Sequence, residues 1–289
     1  MKRTKRLRHD AAAMGGSMEL KDKKLYLLDM DGTLYLGDRL FPDTQRFLSM
    51  ITARGGRYIF LTNNSSKGTD RYVEKLAGLG IASGPEDFCT SVHALIRDLS
   101  PRGYRKIYAL GTASFRKQLS DAGFPVTDRP EAGIDCLCMG FDTELTFRKL
   151  EDASRLLLDP RVDYIATNPD WVCPTEFGYV PDCGSVAGML YNATKRKPRF
   201  IGKPQPEMIW LAIEQAGCTK EETVVFGDRL YTDIKSGVNA GVTTCFVLSG
   251  EGTLEDLETS DARPDYVFRD VGAYTDYILH GSPEPVRVF

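Results

Sequence analysis

LYLLDMDGTLY, residues 25–35, is an apolar run that ends abruptly in two acids, a glycine and a threonine. A short apolar run closed by a turn signal reads as a buried strand of a parallel sheet. Side chains two apart on a strand share a face, which predicts Asp29 and Asp31 on one side, about 6.6 Å apart along the strand. Gly32 then bends the chain. Ligands of open parallel sheets bind at the carboxyl ends of the strands, so the acids stand where chemistry is expected.

Similar runs recur along the chain. RYIFLTN (57–63), ETVVFGD (222–228), TTCFVLSG (243–250) and DYVF (265–268) read as further strands, and helix-patterned segments such as 42–56, 69–80 and 206–217 lie between them, each closed by glycine. That alternation predicts an α/β fold, a Rossmann-like parallel-sheet core. A second alternating series from KIYALGT (106–112) to GSVAGMLYNATKR (184–196) predicts a smaller α/β unit inserted into the first. The expected division is a basic leader over 1–20, a core over 21–87 and 199–289, and the inserted unit over 88–198, with DFCTSVHALIRDL (87–99) alternatively a further strand and helix of the core.

Two more apolar runs end in residues suited to phosphate and a hard cation. The first supplies Thr62, Asn63 and Asn64, and the next segment, SSKGTD, opens a helix whose free N–H groups can hold phosphate oxygens. The second, TVVFGDRLYTD (223–233), supplies Asp228 and Asp233, which fit a metal ligand and a supporting carboxylate. Lys203, in FIGKPQPEM, can place a compact positive charge on a transferring phosphoryl group. A carboxylate attacking a phosphomonoester dianion meets like-charge repulsion, so the site requires a cation. Magnesium prefers oxygen ligands, and Asp29 and Asp228 offer carboxylates. Asp31, beside other negative charge, is expected to hold a proton and to give it to a leaving alcohol.

Composition narrows the alternatives. A net charge of −3, from 37 basic and 40 acidic residues, leaves no electrostatic footprint for nucleic acid or an anionic membrane. No run of about 18 apolar residues exists to span a bilayer. Seven scattered cysteines argue for a reducing compartment, the cytoplasm, rather than a disulfide framework. Cys136 and Cys138 read as buried thiols, since the sequence places no further zinc ligands near them. The expected partner is a small phosphorylated metabolite.

In these residues and their order the chain resembles the haloacid dehalogenase superfamily of phosphohydrolases, across DMDGT, the threonine of LTNNSS, Lys203 and GDRLYTD. The inserted unit looks like the type II cap of the NagD-like and p-nitrophenyl phosphatase branch, with IATNPDW, PDCGSVAGML and GKPQP similar to that branch's segments. The resemblance implies Asp29 as nucleophile, Asp31 as general acid and base, and magnesium bound by Asp29, Asp228 and the backbone carbonyl of Asp31. It implies phosphate contacts from Thr62, Asn63, Asn64, Lys203 and Arg229, support from Thr33 and Asp233, and substrate reading by Asn168 and Asp170 of the cap. A homodimer formed through the cap fits such proteins. A phosphomutase, or a phosphate receiver that keeps its phosphoryl group, are the alternatives. Asp31 and the inserted unit favour hydrolysis.

Overall fold

The structure is a computed structural model of the chain and describes residues 18–175, 177–282 and 286–287. The opening apolar run forms β1 (Leu25–Leu28), buried along its whole length. The chain then turns at once, the Met30 carbonyl accepting from the amides of Thr33, Leu34 and Tyr35. A small antiparallel ribbon follows, β2 (Tyr35–Leu36) against β3 (Arg39–Leu40). Beyond it come α1 (Thr44–Ala53), β4 (Arg57–Thr62), α2 (Thr69–Gly78), β5 (Phe88–Thr90) and α3 (Ser91–Leu99).

The middle of the chain carries β6 (Ile107–Leu110), α4 (Ala113–Asp121), β7 (Val126–Thr127), β8 (Cys136–Met139), α5 (Phe147–Leu157) and β9 (Asp163–Ala166). A second ribbon, β10 (Val172–Thr175) with β11 (Gly178–Pro181), leads to α6 (Cys183–Thr194) and β12 (Arg199–Phe200). The remainder is α7 (Glu207–Ala216), β13 (Thr223–Gly227), a wide π-helical turn at Leu230–Ile234, α8 (Lys235–Ala240), β14 (Thr243–Val247), α9 (Asp256–Thr259), β15 (Tyr266–Phe268), α10 (Val271–His280) and β16 (Val286–Arg287).

The larger sheet has the order β16-β15-β14-β13-β1-β4-β5, parallel except for β16; the smaller has the order β12-β9-β8-β6-β7 and is parallel throughout. Side-chain alternation divides the core. Tyr26 and Leu28 face α1 and α10, where Tyr26, Phe47, Phe226 and Tyr274 form an aromatic cluster. Leu25 and Leu27 face the other way, into an apolar cluster shared with α3 and α7 that continues to Ile107, Cys136, Cys138 and Ile165 of the smaller sheet. The two sheets thus share one buried layer. Cys136 and Cys138 are fully buried in it, their sulfurs 3.6 Å apart.

The predicted boundaries move. Phe88–Thr90 pairs with β4, Phe60 opposite Phe88 and Thr62 opposite Thr90, and α3 packs on α7, so the first unit runs on to Leu99 rather than stopping at residue 87. The alternative reading of residues 87–99 as a strand and helix of the core is the one the pairing supports. Arg199–Phe200, expected in the core, pairs with β9 of the smaller sheet. Leu20, inside the span expected as leader, is buried in the core against Tyr274; residues 1–17 lie outside the described residues. No helix among the described residues is long and apolar enough to cross a membrane.

Candidate active site

In the larger sheet Leu28 lies level with Phe226 on one side and Phe60 on the other. That register brings the carboxyl ends of β1, β13 and β4 together. Asp29 is the first residue past β1, its amide still donating to the Phe226 carbonyl at 3.0 Å. Asp228 is the first past β13, and Thr62 is the last of β4. Lys203 arrives from the loop after β12, and its buried ammonium donates to Asp29 Oδ1 and to Asp233 Oδ1, both at 2.6 Å. Carboxyl oxygens of Asp29, Asp228 and Asp233 lie within 4.8 Å of one another.

Three carboxylates therefore meet where one ammonium is paired with two of them, Asp29 and Asp233. Burial, then the charge of Asp233, push Asp29 up to about 8, against the pull of Lys203. Burial and Asp233 likewise raise Asp228 to about 6. Burial disfavours the Lys203 ammonium, but Asp233 and Asp29 outweigh it and raise its pKa. Asp228 Oδ2 accepts from the Glu251 amide at 2.7 Å, whereas its Oδ1 is buried with no partner. Buried carboxylate oxygens are ordinarily paired or bound to metal. An excess of negative charge and an all-oxygen donor set fit a hard divalent cation held by Asp29 and Asp228.

Glycines make the close approach possible. A Cβ on Gly32 would lie 2.3 Å from Asp228 Oδ2, and one on Gly250 would lie 2.0 Å from the same atom. Gly227 is equally confined, with Asp233 Cβ 2.1 Å from where its own Cβ would stand.

Asp31 faces the same cavity, but the turn at Met30, not strand alternation, puts it there, because β1 ends at Leu28. Its pKa is raised, as expected, but chiefly by burial; the charges of Lys75 and Arg229 act against it, and that of Asp38 adds a smaller push. The cavity measures about 370 Å³ and is also lined by Thr62, Lys203 and Arg229, and from the smaller unit by Phe141, Val172, Asp170 and Asp182. Arg229 forms an ion pair with Glu251, Nε to Oε2 2.9 Å. Thr33 is buried, its hydroxyl without a partner.

Three of the expected contact residues are held by hydrogen bonds within the protein. Asn63 reaches the cavity wall, but its amide is engaged by the backbone of Lys203 and by Asp170. Asn64 also lines the cavity, while its Oδ1 accepts from the amide and hydroxyl of Ser66. Asn168 is fully buried and donates to Asp170 and Asp182 rather than into the cavity. Sequence reasoning passed over Lys75, on α2, whose ammonium lies 4.3 Å from the centre of the Tyr35 ring beside Asp31. It also passed over Asp182, although an acid just before a helical pattern is a cap signal.

Residues 26–125 match the family model described as haloacid dehalogenase-like hydrolase, and residues 200–274 match a second model of HAD-hydrolase-like sequences. An acid sugar phosphatase of Staphylococcus aureus is 34% identical over 255 residues, which cover 87% of this chain and 96% of the relative. The structure of a 4-nitrophenylphosphatase from Thermotoga maritima aligns with a TM-score of 0.84 at 39% identity, covering 90% of this chain and 98% of that one. A glycerol phosphate phosphatase from Mycobacterium tuberculosis, solved in complex with magnesium, aligns with a TM-score of 0.81 at 27% identity, covering 87% of this chain and 76% of that one.

Proposed function

The chain belongs to the haloacid dehalogenase-like hydrolases, in the branch of NagD and the p-nitrophenyl phosphatases, and from that premise we propose that it is a magnesium-dependent phosphatase of small phosphomonoesters. Turnover passes through an aspartyl phosphate on Asp29. One observation carries the proposal: the Lys203 ammonium spans Asp29 and Asp233 beside an unpartnered buried oxygen of Asp228.

Asp29, Asp228 and the backbone carbonyl of Asp31 are the groups proposed to hold magnesium, which when bound offsets the repulsion between Asp29 and a phosphate dianion. An Asp29 carboxylate oxygen attacks phosphorus, and the bond from phosphorus to the ester oxygen breaks. Asp31, whose pKa burial raises, passes a proton to the departing alkoxide. A water then attacks the phosphoryl group while Asp31 takes its proton. The bond to Asp29 breaks, releasing inorganic phosphate and restoring both carboxyl groups. Lys203 and the Thr62 hydroxyl steady the phosphoryl oxygens, and Lys203 also aims the nucleophile. The cavity of about 370 Å³ suits a small alcohol or aryl phosphate, and the named substrates of the relatives are of that kind.

The test is steady release of phosphate from p-nitrophenyl phosphate with and without magnesium. Activity is expected only with the cation and is expected to fall by at least about 10³-fold in Asp29→Asn. A single stoichiometric burst without turnover favours the phosphate receiver instead.

A further inference from the structure

Asn63 stands at a three-way junction. Its Oδ1 accepts from the Lys203 amide at 2.8 Å, and its Nδ2 donates to the Lys203 carbonyl and to Asp170 Oδ2, both at 2.9 Å. The first two bonds grip the backbone of Lys203 as a neighbouring strand would. Gly202 permits the grip: a Cβ there would lie 2.5 Å from Asn63 Oδ1 and 2.4 Å from the Thr167 carbonyl oxygen. Ser91 steadies the other side, its hydroxyl donating to the Asn63 carbonyl at 2.7 Å.

Asp170 is itself held. Asn168 Nδ2 donates to Asp170 Oδ2 at 3.0 Å and to Asp182 Oδ1 at 3.2 Å. Asn168 and Asp170 lie between β9 and β10, in the smaller unit, whereas Asn63 follows β4 of the larger sheet. An unbroken chain of hydrogen bonds thus runs from the smaller unit, through Asn63, to the residue whose ammonium spans Asp29 and Asp233.

We infer that Asp170 is a positioning residue: its carboxylate orients the Asn63 amide, which holds the Lys203 backbone and so sets the ammonium against Asp29. The inference rests on the phosphatase reading above. The Asn63 amide turns about a terminal torsion with a broad energy profile, and Asp170 is the partner that takes its second N–H. A carboxylate that read the substrate directly would act differently. Its loss would fall on KM and would vary with the alcohol carried by the phosphate, whereas loss of a positioning group falls on kcat by one factor for every substrate.

The experiment measures kcat and KM for Asp170→Ala, Asp170→Asn, Asn63→Ala and the Asn63→Ala/Asp170→Ala double variant. The substrates are p-nitrophenyl phosphate, glycerol phosphate and a hexose phosphate. Asp170→Ala is expected to lower kcat roughly tenfold on all three, the worth of a hydrogen bond to a charged group. Asp170→Asn keeps an oxygen that accepts from both amides and is expected to recover most of the loss. The double variant is expected to be no slower than Asn63→Ala alone, because both act through one contact. A loss confined to KM, a loss that differs among the substrates, no recovery in Asp170→Asn, or additive losses would each overturn the inference. Should the wild-type chain release phosphate from none of the three, the phosphatase reading fails separately. A crystal structure of Asp170→Ala then decides: the Lys203 ammonium is expected to leave Asp29 or Asp233, and finding it bonded to both refutes the positioning role.

Discussion

Gly32 has φ +88°, a conformation that side chains resist, and its absent Cβ leaves the space that Asp228 occupies. Gly32→Ala is expected to cost about 1–3 kcal/mol in urea unfolding, from strain and overpacking together. It is also expected to weaken divalent-cation binding measured by calorimetry, since Asp228 is what it displaces; wild-type values in both would show that the crowding is relieved elsewhere. At Asp31 the prediction separates binding from chemistry. Asp31→Asn leaves Asp29, Asp228 and every backbone carbonyl in place, so cation affinity is expected to persist while turnover falls about 10²–10⁴-fold, the usual worth of a general acid or base. Unchanged turnover would remove Asp31 from the proton path. Its acidity also shows where residue-level reading stops: the sequence places two acids two positions apart, but burial, a property of the folded surroundings, is the main cause of the raised pKa.

Among the elements, α6 carries the clearest electrostatic conflict. Its cap, Asp182, accepts from the Cys183 amide and from Asn168, yet burial, with help from the nearby Asp170 charge, pushes it up to about 6. A carboxyl raised above its ordinary value of about 3.9 contributes stability that is complete below that value and is lost as pH climbs through the folded value. Asp182→Asn keeps the cap oxygen and cannot ionise. Its stability relative to wild type is therefore expected to improve between pH 4 and pH 7, by on the order of 1–3 kcal/mol. Thermal unfolding across that range checks it, and a flat or opposite trend would show that Asp182 titrates normally. The long apolar runs β1, β4 and β13 were legible from composition and turn residues alone. The ribbon β10–β11 and the two-residue strand β12 were not, because so few residues carry no period of their own.

At the scale of the whole molecule, the site exists only because distant segments meet: Lys203 and Asp29 are 174 positions apart. Gathering three acids where one ammonium pairs with two leaves negative charge that a cation would relieve, so magnesium should stabilise the fold by binding it selectively. An excess about 100-fold over the dissociation constant is expected to add about 2.7 kcal/mol, and the gain should vanish in Asp228→Ala. A melting temperature indifferent to magnesium in the wild-type chain would contradict the cation site. The sequence by itself determined the parallel α/β class, the polar ends of the strands and the identity of the acids, because hydrophobic period and turn chemistry are local properties of the chain. Only the tertiary structure decided which sheet took Phe88–Thr90 and Arg199–Phe200. It also turned Asn63 toward the Lys203 backbone, buried Asn168, and joined Asp233 to Lys203. Strand pairing, burial and the direction of a side chain depend on neighbours far off in the sequence, so no local stretch of residues specifies them.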